Sequence, residues 1–189
     1  MAKRILVIDG HPDKDTARLA HALANAYVAG ARQAGCETRL VRLAELQFPW
    51  LQSSADFHIA ADAPDIVAAQ NDILWAEHVV FIFPLWVGSA PSLVRAFLEQ
   101  CARGGFLMEA DAKGFHPKLK GKSARLIVTM GMPAFFYRLY FRARGVRSVA
   151  DNLRMCGFKP IRLNFFGAIE APGAAEAALA RVGKIAEDD

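Results

Sequence analysis

The chain has 189 residues, 53% of them hydrophobic and 22% charged, with a net charge of +4. That is enough for one domain with a substantial core, and the balance excludes a disordered chain. No apolar run approaches the roughly 18 uncharged residues of a membrane span, so no stable membrane insertion is expected.

The chain reads as alternating strands and helices. Arg4 to Asp9 is a short apolar run stopped by Gly10-His11-Pro12, the pattern of a buried strand ending in a turn. This block is shorter than a signal-peptide core and no small-residue cleavage site follows it, so a cytoplasmic location is expected. From Thr16 to about Ala34, Leu19, Ala20, Leu23, Ala24, Tyr27, Val28 and Ala31 recur at helical spacing, with Gly35 at the expected C-terminal position. Thr38 to Leu43 is a second strand, and residues 44 to 62 form a less regular connection. Pro64 to Ala76 is a helix with proline suited to its first turn. His78 to Phe83 is the clearest buried strand and breaks at Pro84. A helix follows from Pro91 to about Arg103, then a Gly-, Lys- and Pro-containing connection over residues 104 to 122. Ser123 to Thr129 is a fourth strand, Ser148 to Met155 a helix, Lys159 to Phe166 a fifth strand, and Ala174 to Ala186 a closing helix.

Five strands with helices between them predict an α/β, doubly wound parallel sheet covered on both faces, in one domain spanning residues 1–189. The three cysteines, Cys36, Cys101 and Cys156, are widely separated and form no Cys-x-x-Cys pair, which leaves them as small hydrophobes. His21, His58, His78 and His116 lack ligand spacing and are read as structural or surface residues. There is no Gly-x-Ser-x-Gly elbow, no His-Glu-x-x-His motif, no Gly-x-Gly-x-x-Gly fingerprint and no Walker lysine pattern.

In such a sheet ligands bind beyond the carboxyl ends of the strands. Three loops should meet there. The first, Gly10 to Thr16, enters a helix N-terminus, a ready anion site, to which His11, Lys14 and the Thr16 hydroxyl would add donors; alternatively Asp15 or Thr16 only caps the helix. The second, Pro84-Leu85-Trp86-Val87-Gly88-Ser89-Ala90-Pro91, offers close backbone approach and an apolar side chain for a flat ring, the alternative being an ordinary turn whose Trp86 fills the core edge. The third, Thr129-Met130-Gly131-Met132-Pro133-Ala134-Phe135-Phe136-Tyr137, runs into Arg138, Arg142, Arg144 and Arg147. It would wall a site for a planar acceptor, with arginines for nucleotide phosphates; alternatively the aromatics form a dimer surface and the arginines a solvated face.

At these residues the sequence resembles the quinone reductase branch of the flavodoxin-like superfamily, over nearly the whole chain. The resemblance rests on Gly10-His11-Pro12, Phe83-Pro84-Leu85-Trp86 with Gly88 and Pro91, Gly121-Lys122, and the Thr129 to Tyr137 loop, in that order and spacing. It implies a flavodoxin-like fold and a homodimeric flavoprotein that takes a hydride from NAD(P)H and passes it to a quinone-like acceptor. Carried over, His11, Asp15, Thr16 and Arg18 belong to the flavin phosphate side. Pro84, Leu85, Trp86, Val87 and Gly88 lie along the ring, and Thr129, Met130 and Gly131 border its edge. Tyr137 is the catalytic candidate, stabilising charge as the flavin is reduced. Thr16-Ala17-Arg18 stands where relatives commonly have Ser-Phe-Asn, and Val87 where a second aromatic is frequent.

The expected cofactor is FMN, with FAD as the alternative, and the donor NADPH or NADH. The competing reading is a regulatory subunit of a membrane transport system with flavin as sensor. Nucleic-acid binding would rest on net charge alone and is not expected.

Overall fold

The computed structural model describes residues 2–111 and 114–189. A parallel sheet in the order β2-β1-β3-β6-β7 forms its centre. Its strands are β1 Arg4–Asp9, β2 Glu37–Arg42, β3 His78–Pro84, β6 Ser123–Thr129 and β7 Ile161–Phe166. The chain steps outward from β1 to β2, then returns past β1 to β3, so the order reverses between β1 and β3. Ligand crevices of doubly wound sheets form at that reversal.

Alternation along each strand divides the core in two. Leu6 and Ile8 of β1 pack on one face with Phe81, Phe83, Leu126 and Val128. Ile5 and Val7 point to the other, with Val80, Ile82 and Ile127. The first face is covered by α3 (Pro64–Trp75), α4 (Ser92–Ala102) and α6 (Arg144–Cys156), through Ile66, Val94, Phe97, Val149 and Leu153. The second is covered by α1 (Leu19–Gln33) and α7 (Ala174–Glu187), through Leu23, Tyr27 and Val182. The expected doubly wound sheet with helices on both faces is what the chain forms.

Five local features depart from the sequence reading. The first helix starts at Leu19 rather than Thr16. Its expected first turn is taken by side-chain-to-backbone turns: Asp15 N–H donates to Asp13 Oδ1 and Ala17 N–H to Asp15 Oδ1, both at 3.0 Å. Such bonds offer the backbone an alternative to the helix. The connection over 104–122 contains an antiparallel hairpin, β4 Met108–Asp111 and β5 Gly114–Pro117. The connection over 44–62 contains a short helix, α2 Ser54–His58. The third loop contains another, α5 Ala134–Leu139, and α6 begins at Arg144 rather than Ser148.

The cysteines are free thiols; Cys101 and Cys156 are buried, and Cys36 is half-buried. Among the described residues no helix is long and apolar enough to cross a membrane, and no cluster of His, Cys, Asp or Glu is arranged to hold a metal ion.

At the amino edge of the sheet, Asp189 brings its carboxylate, 1% exposed, against Arg125 of β6. Arg125 Nε lies 2.5 Å from Oδ2 and its Nη2 2.6 Å from Oδ1, while the Tyr27 hydroxyl donates to Oδ2 at 2.6 Å. Burial alone would raise the Asp189 pKa, but His78, Arg125 and Tyr27 outweigh it and hold the group far below the usual carboxylate range. Lys122, next to the Gly121 of the sequence motif, donates its Nζ to the Leu74 and Ala76 carbonyls at the C-terminal end of α3. That part of the motif stabilises a helix end and lies opposite the carboxyl edge.

Candidate functional site

The three loops after β1, β3 and β6 meet at the carboxyl edge. The first is locked from below. Asp9, the last residue of β1, is fully buried, accepts from His11 N–H at 3.2 Å through Oδ1, and meets His21 Nδ1 at 2.5 Å through Oδ2. His21 Nε2 lies 2.9 Å from the Asp13 carbonyl. Both ring nitrogens therefore face acceptors, an arrangement that suits the imidazolium. Burial opposes that charge, yet the Asp9 hydrogen bond and the Asp13 carbonyl outweigh it, and the His21 pKa is raised. His11 behaves oppositely. Its Nδ1 accepts from Asp13 N–H at 3.1 Å, so Nε2 carries the proton, and burial together with the charge on His21 lowers its pKa.

His21, read from the sequence as a structural or surface residue, is buried and braces the first loop through Asp9 and the Asp13 carbonyl. Hydropathy gives no signal for it. The available signal was an aspartate closing β1 with a histidine on the first turn of the helix that packs over it.

The remaining loop-one residues divide. Arg18 is held by Asp13, with Nη2 2.7 Å and Nε 2.8 Å from Oδ2, and lies 3.7 Å from Asp15. Neither Asp15 nor Thr16 caps α1, whose N-cap position is Arg18. Thr16 lines a 170 Å³ cavity with Lys14, His21, Asn25, Arg42 and Glu45, and Arg42 Nε lies 3.9 Å from Asp9 Oδ2.

In the second loop, Trp86 and Ser89 exchange backbone hydrogen bonds at 2.9 Å in both directions, and Val87 and Gly88 both have positive φ, 47° and 75°. This is the pattern of a type I′ turn, costly for the β-branched Val87 and free for Gly88. Val87 is fully exposed and Trp86 half-exposed. Among the described residues, the Val87 and Gly88 N–H groups have no acceptor, so both remain open at the sheet edge. Pro84 and Leu85 are half-buried behind them, and Leu85 N–H donates to the Thr129 carbonyl at 2.8 Å. Trp86 also closes the gap to loop one, its ring edge-on to His11 at 5.9 Å.

Tyr137 and α6 hold this turn from behind. The Tyr137 hydroxyl donates to the Gly88 carbonyl at 2.8 Å and accepts from Val146 N–H at 3.4 Å. Burial raises its pKa, so the phenol stays neutral. Gly145 packs so closely that a Cβ on it would lie 2.2 Å from the Gly88 oxygen. In the third loop, Thr129 and Met130 are buried, and the Met130 side chain belongs to the core. The β6–β7 pairing continues through Met130 N–H to the Phe166 carbonyl at 2.9 Å, which turns the methionine inward and leaves only its backbone near the edge. Gly131 is exposed there. Beyond it Phe135, Leu139 and Tyr140 are exposed by 67%, 75% and 72%, an apolar patch beside the site.

The geometry is thus a cationic cavity joined, through His11 and Trp86, to a turn with open N–H donors. A family model describing the flavodoxin-like fold matches residues 3–187. The chain belongs to that flavodoxin-like family. Among its relatives, a ribosyldihydronicotinamide dehydrogenase-like protein of Penicillium crustosum is 27% identical over 112 residues, 55% of this chain. The match spans only 40% of that relative's length. An FMN-dependent NADH:quinone oxidoreductase of Bacillus pumilus is 28% identical, over 69% of this chain and 70% of its own. The flavodoxin-like architecture is shared with the solved NAD(P)H:quinone oxidoreductase of Methanothermobacter marburgensis, at a TM-score of 0.83 and 18% identity, covering 100% of this chain and 99% of that one.

Proposed function

We propose that this flavodoxin-like protein is an FMN-dependent NAD(P)H oxidoreductase that reduces a quinone or a similar planar acceptor. The observation that carries this is the edge itself: a cationic cavity at one end and, across the His11–Trp86 contact, a turn with two open N–H donors and an exposed indole. That combination fits a ligand with an anionic tail and a flat polar ring, as FMN has. The names of the relatives point the same way and favour an enzyme over a regulatory subunit of a transport system.

In this reading Lys14, Thr16 and Arg42 hold the phosphate, aided by the charge on His21, while Asp15 and Arg18 shape the loop through their mutual contacts. Trp86, Val87 and Gly88 hold the ring, the two open N–H groups facing its polar edge, with Gly131 and the backbone of Thr129 and Met130 bordering it. The chemistry FMN supplies when bound is a two-electron relay: a hydride in from the reduced nicotinamide, and two electrons with two protons out to the quinone, one of those protons from solvent. Tyr137 acts as a positioning residue, fixing the turn through the Gly88 carbonyl. The exposed Phe135, Leu139 and Tyr140 suit burial against a second copy, giving a homodimer, and a nicotinamide donor suits a cytoplasmic location.

The test is the visible spectrum of the protein loaded with FMN, before and after anaerobic NAD(P)H, and again after a soluble benzoquinone. Bands that bleach and then return are expected. A protein that neither binds FMN nor supports this cycle overturns the proposal.

A further inference from the structure

Four arginines, Arg138, Arg142, Arg144 and Arg147, fall within ten residues, in a stretch from residue 112 to 150 that holds nine lysines and arginines and no aspartate or glutamate. None of the four has an ion-pair partner among the described residues, whereas Arg4, Arg18, Arg39, Arg103, Arg125, Arg154 and Arg162 each have one. Three of them, Arg142, Arg144 and Arg147, line one open cavity of 380 Å³ together with Ser148, Asp151 and Asn152. The acid of that set, Asp151, is engaged by Arg154.

The backbone that gathers them is unusual. Arg142 and Ala143 are consecutive residues with positive φ, 52° and 50°, and the turn is tied down by Ala143 N–H to the Tyr137 carbonyl at 3.1 Å and Arg144 N–H to the Phe141 carbonyl at 3.2 Å. Non-glycine residues in that region are disfavoured, so the surrounding contacts impose this conformation. Arg144 immediately precedes Gly145, the residue that packs against Gly88 and Ser89 of the ring turn. Unpaired guanidinium groups crowded on one cavity repel each other, and a dianion relieves that repulsion while accepting several charge-assisted hydrogen bonds.

Given the oxidoreductase reading, on which this rests, we infer that Arg142, Arg144 and Arg147 bind the 2′-phosphate of NADPH and make it the preferred donor over NADH. The two nucleotides differ only in that phosphate, so the arginines act on specificity and leave the hydride chemistry to the ring site.

The experiment measures kcat/KM for NADPH and for NADH with the FMN-loaded protein and one soluble benzoquinone. An NADPH preference of at least about tenfold is expected, the effect of one or more charge-assisted hydrogen bonds. Arg144→Ala and Arg147→Ala, both at exposed positions, should bring the ratio toward one, and Arg39→Ala, on β2 and paired with Asp72 away from this cavity, should leave it where it is. Calorimetric titration with adenosine 2′,5′-bisphosphate and with 5′-AMP gives a readout independent of turnover. Binding of the bisphosphate alone, weakened at least about tenfold in both variants, is expected. A wild-type ratio near one, or a ratio that the variants do not move, overturns the inference. If neither nucleotide reduces bound flavin, the oxidoreductase reading fails instead. Calorimetry then decides the arginine site by itself, and no binding of the bisphosphate overturns it.

Discussion

Replacing Gly145 by alanine sets two effects of known sign against each other. Gly145 lies in the first turn of α6, where alanine loses less backbone entropy on folding and would stabilise by about 0.5–1 kcal/mol if nothing were in the way. Something is. The new Cβ would lie 2.2 Å from the Gly88 carbonyl oxygen and 2.8 Å from both Cα and Cβ of Ser89. Two of these atoms are backbone, in a turn already tied by the Trp86–Ser89 hydrogen bonds and by the Tyr137 hydroxyl, so no side-chain rotation relieves the clash. Reaching ordinary van der Waals distance requires a displacement of the turn by about 1 Å, and overpacking of that kind costs about 1–3 kcal/mol. The net expectation is a loss of up to about 2 kcal/mol in urea denaturation. The functional effect should be larger, because a ~1 Å misplacement of a positioning element can cost about a hundredfold. Turnover of the FMN-loaded protein is therefore expected to fall by up to about a hundredfold, and FMN affinity, followed by quenching of flavin fluorescence, to fall with it. A Gly145→Ala protein more stable than wild type, with unchanged FMN affinity, would show that α6 does not position the ring turn.

Other perturbations address separate parts of the molecule. Asp189→Ala leaves the buried Arg125 without its carboxylate and should cost about 3–5 kcal/mol by urea denaturation, a loss below 1 kcal/mol refuting the pairing. Tyr137→Phe removes the donor to the Gly88 carbonyl and should cost about 1–3 kcal/mol. If the phenol only positions the turn, FMN affinity falls while the pH profile of turnover keeps its shape; a lost limb of that profile would assign it a proton-transfer role. His21 has a pKa raised above 6.5 in the folded state, so its contribution is complete below about pH 6.5 and disappears as pH rises through the elevated value. Wild-type stability measured against His21→Gln should therefore fall with rising pH above 6.5; His78, whose value is lowered, acts in the opposite sense in both proteins, while His11 loses in the variant the part of its lowering that His21 causes. A pH-independent difference would mean that His21 is not charged.

What was legible in the sequence followed from burial. The strands β1, β3 and β6 are buried on both faces; β1 and β3 read as continuous apolar runs and β6 carries Leu126-Ile127-Val128 after Arg125, and the breaks after them located the three loops of the site. What was not legible followed from hydrogen bonding. The true start of α1 is set by Asp13 and Asp15 accepting from N–H groups two residues on, a choice invisible to apolar spacing at Thr16 to Arg18, where every side chain is exposed. His21 interrupts no apolar stripe and finds its role only through Asp9, twelve residues earlier. Met130 looked like a site residue from its loop position, yet the extension of β6–β7 pairing carries it into the core. The hairpin β4–β5 is four residues a side, too short to announce itself by alternation.

The Val87 backbone has a consequence for anyone who would engineer this protein. A fully exposed valine at φ 47° offers an easy gain: glycine at that position removes backbone strain and forfeits no buried surface. Natural proteins commonly leave such gains unused, and the recurrent cost of taking them is lost function where activity depends on a strained site. The valine narrows the range of conformations the turn can adopt, and glycine would widen it at the point where two N–H donors must stay aligned. Selection for thermostability and selection for turnover should therefore part company at residue 87, with heat-resistant variants accumulating glycine there and active ones retaining a branched side chain.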